Sequence, residues 1–118
     1  EAGIEHLGRG TARAVDELIV VVEPGRKSIE TAYRIKDLSA QINIPSLSVV
    51  GNKIRGEKDK DYLLASMSGF DFLGFISFDE TIIQADLEGS SLWEKGEKFK
   101  REIEIIVQNL KEKHYEGK

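Results

Sequence analysis

Three short stretches of this 118-residue chain gather side chains able to bind or react: Glu23-Pro24-Gly25, Gly51-Asn52-Lys53 and Ser77-Phe78-Asp79. Asn52 carries a planar amide that both donates and accepts, which suits the edge of a purine, and the methylene stem of Lys53 is long enough to lie along a base. An asparagine that merely supports a turn accounts for the same residue equally well. Arg26-Lys27 could meet a phosphate or simply face water. Glu1 and Glu5, flanking Ala2-Gly3, could approach a phosphate or a water, although acidic loops are usually just solvated.

Several chemistries are absent. There is no cysteine, which excludes disulfides, thiolate metal ligation and a cysteine nucleophile. His6 and His114 are far apart in sequence, and neither has an acidic or histidine neighbour at helical metal spacing, so both read as surface residues. Gly89-Ser90-Ser91 reads as the exit from a helix rather than a nucleophile elbow. No Gly-x-x-x-x-Gly-Lys-Ser/Thr occurs, so the grip on a γ-phosphate is missing. The net charge of -4 is spread along the chain without a basic stripe, which argues against nucleic acid. The longest apolar run, Leu18 to Val22, is far below the roughly 20 residues that cross a bilayer, and no signal segment is expected before it. A cytoplasmic location is expected. The opening at Glu1 rather than Met is expected of a sequence that begins inside a longer protein.

The reactive stretches all follow apolar runs. Leu18 to Val22 is wholly apolar and mostly β-branched, as in a strand buried on both faces of a parallel sheet. Pro24-Gly25 breaks it, and Ser28 is the expected cap of a helix with Ile29, Ala32, Ile35, Leu38 and Ile42 on one side, ended by Asn43 to Pro45. A second strand is predicted over Leu47 to Val50, leading into Gly51-Asn52-Lys53 and a short helix with Tyr62, Leu63, Leu64 and Met67. A third, Leu73 to Phe78, stops at Asp79, the expected cap of a helix with Ile82, Ile83 and Leu87 that ends at Gly89. Thr11 to Val15 reads as the end of an earlier helix. From about Lys98 a terminal helix sets Phe99, Ile103, Ile106 and Leu110 in one stripe. Alternating strands and helices predict one α/β domain, a parallel sheet between helical layers. Ligands of such sheets bind beyond the carboxyl ends of the strands, where the three reactive stretches fall.

Glu1-Ala2-Gly3-Ile4-Glu5-His6-Leu7-Gly8-Arg9-Gly10-Thr11 resembles the segment that follows the magnesium-site aspartate in the CooC-type ATPases, which mature nickel carbon monoxide dehydrogenase. Their wider group includes the Min-type cell-division ATPases and the nitrogenase iron protein. The resemblance continues through Val20-Val21-Val22-Glu23-Pro24-Gly25-Arg26-Lys27-Ser28-Ile29, Val50-Gly51-Asn52-Lys53-Ile54-Arg55, Leu73-Gly74-Phe75-Ile76 and Asp79 to Gly89, in the family's order and as far as about Trp93. It implies a partial P-loop NTPase fold that lacks the Walker A strand, the C-terminal portion of the parent domain. It also implies that Asn52, with Lys53 beside it, contacts adenine, that residues around Phe78 and Asp79 close over the base, and that Gly3 to His6, including Glu5, form a switch sensing the γ-phosphate. Ser77 departs from the pattern, because relatives usually carry proline there.

The deviant Walker loop, its lysines, the aspartate before Glu1 and the Cys-x-Cys metal site of that family all fall outside this sequence, so neither catalysis nor metal ligation is assigned to any residue present. The expectation is an adenine-side half that binds ATP or ADP weakly or not at all and is inactive alone, with a metalloenzyme client such as carbon monoxide dehydrogenase. In the parent fold Leu18 to Val22 has the phosphate-loop strand as its second neighbour. Without it the exposed edge is expected to make a homodimer. Two alternatives stand beside this reading: a split ATPase completed by a Walker-loop polypeptide, and a degenerate domain that has lost nucleotide and works by self-association or partner docking. The Min-type branch is disfavoured, because too many acids surround Lys111-Glu112-Lys113 for a membrane-targeting face.

Overall fold

The computed structural model describes residues 16–79 and 96–116. Within them the chain forms β1 (Leu18–Val22), α1 (Arg26–Gln41), β2 (Leu47–Ile54), α2 (Glu57–Ser66), β3 (Phe72–Ser77) and α3 (Glu97–Glu116). The strands make one parallel sheet in the order β1-β2-β3, with Val20 opposite Val49 and Gly51 opposite Phe75. The expected α/β arrangement of three layers is therefore observed. The helix expected after Asp79, the helix end at Thr11 to Val15 and the segment holding Gly3, Glu5 and His6 lie outside the described residues.

The core divides at the sheet. On one face Val20, Val22, Val49 and Ile54 pack against Ile29 and Ala32 of α1 and Leu63 of α2, with Met67 just beyond that helix. On the other, Val50 and Leu73 meet Ile106 of α3. The Ile106 side chain of α3 packs so closely on β3 that a Cβ on Gly74 would lie 2.7 Å from Ile106 Cγ1.

Three sequence expectations are corrected here. Ser28 is not the cap of α1. The turn at Pro24-Gly25 starts the helix at Arg26, so Ser28 sits at the third helical position, and its hydroxyl reaches back to accept the Glu23 N–H at 2.9 Å. Nor is β1 buried on both faces, since Ile19 is 40% and Val21 58% exposed while Val20 and Val22 are covered. The helix α3 lies over β3 and leaves the same face of β1 uncovered. The third correction concerns β2, which does not end at Val50 but runs through Gly51, Asn52 and Lys53 to Ile54.

The predicted end of α1 is met in detail. Asn43 takes a left-handed φ of 61°, its N–H bonds to Ala40 O, and the Ile44 N–H bonds to Ser39 O, the paired closure of a Schellman cap.

Candidate functional site

Gly51, where β2 enters the site, is a packing requirement. Phe75 of β3 lies across β2, and a Cβ on Gly51 would stand 2.6 Å from its ring. Beyond this point the pairing with β3 advances from Gly51–Phe75 to Ile54–Ser77, three residues on β2 for two on β3. The extra residue makes a bulge, and Lys53 within it has a φ of 57°, a conformation that costs a non-glycine residue about 1 kcal/mol or more. Strands continue past the point expected for a loop because the bulge absorbs the irregular Asn52-Lys53 step.

Asn52 is half-buried there, and among the described residues no hydrogen bond holds its amide, which stays open to solvent. Lys53 turns toward β1, with Nζ 3.4 Å from Glu23 Oε2, so two of the three reactive stretches meet through an exposed ion pair. The third stretch is tied to β2 through the backbone, the Phe78 N–H bonding to Ile54 O at 2.8 Å. Arg55 then covers Phe78, its guanidinium carbon 4.4 Å from the ring centroid. Asp79 follows, half-buried.

Ser77, the residue that departs from the proline of the resemblance, has a specific partner. Its N–H donates to Glu102 Oε1 at 3.0 Å and its hydroxyl to Oε2 at 2.6 Å, a two-point link to α3 that proline could not make. Sequence reasoning missed both Arg55 and Glu102. Arg55 carried a signal, since it sits two residues past Lys53 where the strand must end; Glu102 carried none, because its partner is set by how α3 crosses β3.

Between Arg55, Lys60, Ser77, Phe78 and Lys98 opens a cleft of about 320 Å³, with Glu57 also on its wall. Three cations against one carboxylate make its wall electropositive. Lys60 Nζ lies 3.8 Å from Glu57 Oε1, which offsets one of those charges. Arg55 is anchored at its backbone, the N–H donating to Asp59 Oδ2 at 2.9 Å near the start of α2.

A second polar cluster lies at the opposite, amino ends of the strands. Lys113 Nζ on α3 is 3.0 Å from both Glu17 Oε2 and Asp71 Oδ2, and it also bonds Ser48 and the carbonyl of Leu47. The Ser48 hydroxyl donates to Glu17 as well. Burial pushes the Glu17 carboxyl up, but hydrogen bonds from Ser46, Ser48 and Lys113 and the charge of Lys113 outweigh it and hold the carboxyl below its ordinary value. Burial likewise pushes Lys113 down, while Asp71 and Glu17 hold it above the ordinary lysine value. His114, read from sequence as a plain surface residue, joins this cluster with Nε2 3.0 Å from Glu17 Oε1. Among the described residues no group of three His, Cys, Asp or Glu side chains could hold a metal ion, and no helix is long and apolar enough to cross a membrane.

The reactive stretches thus gather at the carboxyl edge of a parallel sheet, where the ligands of such sheets bind. The chain is 43% identical over 94 residues to the carbon monoxide dehydrogenase accessory protein CooC of Rhodospirillum rubrum, a match covering 80% of this chain and 36% of that protein. The chain is a relative of CooC. It is also 40% identical over 109 residues to an uncharacterized ATP-binding protein of Methanocaldococcus jannaschii, covering 90% of this chain and 42% of that one. A second uncharacterized ATP-binding protein of the same archaeon is 32% identical over 121 residues, covering 96% and 47%. The chain thus spans less than half the length of CooC and of these other relatives. No protein-family profile matches it. As a CooC relative it has Asn52, Lys53, Phe78 and Asp79 at the carboxyl edge of its sheet, on the ends of β2 and β3.

Proposed function

We propose that this chain is the adenine-side part of an ATP-dependent metallocentre maturation protein, with nickel as the cargo handled by the complete protein and a metalloenzyme such as carbon monoxide dehydrogenase as its client. The observation that carries the reading is the unpartnered, solvent-open amide of Asn52 at the ligand edge of the sheet. Its relatives' descriptions as a carbon monoxide dehydrogenase accessory protein and as ATP-binding proteins supply the chemistry.

The residues fit a base better than a triphosphate. Asn52 offers a donor and an acceptor to a purine edge, Lys53 a stem along it, and Phe78 a flat apolar surface. The chain has no Walker loop to hold phosphates. Weak binding follows, with a dissociation constant of about 1 mM, equivalent to about 4 kcal/mol. Titrating ADP into the 15N-labelled chain should shift the amides of Asn52, Lys53, Phe78 and Asp79, and Asn52→Ala should weaken the response. Micromolar affinity, or binding indifferent to Asn52→Ala, would remove the assignment.

A second reading, self-association, is favoured by one observation. β1 is a sheet edge among the described residues, with Ile19 and Val21 exposed and neither proline nor charge inside the strand. Adenine binding and a two-fold dimer are compatible, because the open edge and Asn52 lie on different strands.

A further inference from the structure

We propose that Arg55 is a positioning residue for the base, acting through Phe78; the inference rests on the adenine reading above. Both residues hang from a fixed frame. The Arg55 N–H is held by Asp59 at the start of α2, and the Phe78 N–H by the carbonyl of Ile54, the residue before Arg55. Only side-chain torsions then remain to be settled, and the stack settles them together: the guanidinium lies over the ring with 4.4 Å between its carbon and the centroid. A planar cation on an aromatic face is attracted by the ring quadrupole, and arginine stacks this way better than lysine because its charge is spread over a flat plate.

The pair also bridges the two strand ends that the base must touch. Arg55 follows β2, which carries Asn52, and Phe78 follows β3. Ser77, immediately before Phe78, is clamped to α3 by its two hydrogen bonds to Glu102, so the ring has a rigid support on that side. Arg55 supplies the restraint on the other. With Arg55 removed, Phe78 would keep its backbone position and lose its preferred rotamer, and each base bound would then have to order the ring itself. Lys60, on the wall of the same cleft, is already engaged elsewhere: its Nζ lies 5.5 Å from the Phe75 centroid and pairs with Glu57.

The test compares ADP with adenosine on wild type, Arg55→Ala and Arg55→Lys by NMR titration. Adenosine has no phosphate, so an effect seen with it cannot come from charge attraction to an anion. Arg55→Ala should weaken both ligands about three- to fivefold, the size of an exposed cation–π contact. Arg55→Lys should recover part of that loss, with the fold unchanged by amide shifts elsewhere. Weakening confined to ADP would overturn the proposal by making Arg55 a phosphate contact, and unchanged binding of both ligands would overturn it directly. A wild-type chain that binds neither ligand would overturn the adenine reading and this proposal together, whereas binding that depends on Asn52 but not on Arg55 would leave the adenine reading standing.

Discussion

Lys113 Nζ lies 3.0 Å from Glu17 Oε2, joining the last turns of α3 to the residue before β1 across 96 positions of sequence. Glu17 is 8% exposed and Lys113 25%, so the pair is largely shielded from water. Lys113→Met should destabilise the chain by about 2 kcal/mol, less than for a fully buried pair because the lysine keeps some solvent contact. Urea denaturation would measure it. An unchanged midpoint would show that the Lys113–Glu17 pair adds nothing to the hold on α3.

The same pair sets the pH profile. Because the folded Glu17 carboxyl titrates below its ordinary value of 4.5, its contribution is complete above that value and is lost as pH falls through the lower folded one. Because the folded Lys113 titrates above its ordinary 10.5, its contribution is complete below 10.5 and is lost as pH rises through the higher folded value. Denaturation midpoints should therefore fall at both extremes, and Lys113→Met should flatten the alkaline fall.

Gly51→Ala should destabilise by about 1–3 kcal/mol, because its Cβ would stand 2.6 Å from the Phe75 ring inside a packed sheet. Phe75→Leu, made together with it, should cost less than the sum of the two single changes. Strict additivity in thermal denaturation would mean that the two residues do not meet.

Asn43→Gly should raise stability by several tenths of a kcal/mol and Asn43→Ala should lower it by about 1 kcal/mol, since the position has a φ of 61° and closes α1. Equal stability of the two variants would exclude the left-handed cap.

The isolated chain should not hydrolyse ATP. Phosphoryl transfer depends on positioning and on charge stabilisation by a lysine-bearing loop and magnesium, and no such loop occurs in the sequence. Phosphate release should equal the protein-free control. Turnover that survives repurification and disappears with Asn52→Ala would refute the expectation.

Light scattering at micromolar concentration should find a dimer or larger species, and Val21→Lys should weaken it, because Val21 is 58% exposed on a strand that is a sheet edge among the described residues. A strict monomer with slow amide exchange over Leu18 to Val22 would mean that the edge is already covered.

Periodicity alone located β1, placed α1, α2 and α3, and chose a parallel α/β sheet, because runs of β-branched residues and helical stripes report burial that any such fold requires. Turn residues marked the end of α1 at Asn43 to Pro45, and the apolar pattern put Phe78 at the end of the third strand, whereas Asn52, expected after the second strand, lies inside β2. Tertiary structure decided the rest. The length of β2 depends on a bulge at Lys53 that exists only in register with β3. The burial of β1 depends on where α3 lies, and α3 covers β3 instead, leaving Ile19 and Val21 open. Ser77 gained Glu102, Phe78 gained Arg55 and Glu17 gained Lys113 through the crossing of separately coded elements. Local sequence encodes which face of an element is apolar. It does not encode which residue of a distant element will stand opposite a given polar group, since that is set by crossing geometry and register.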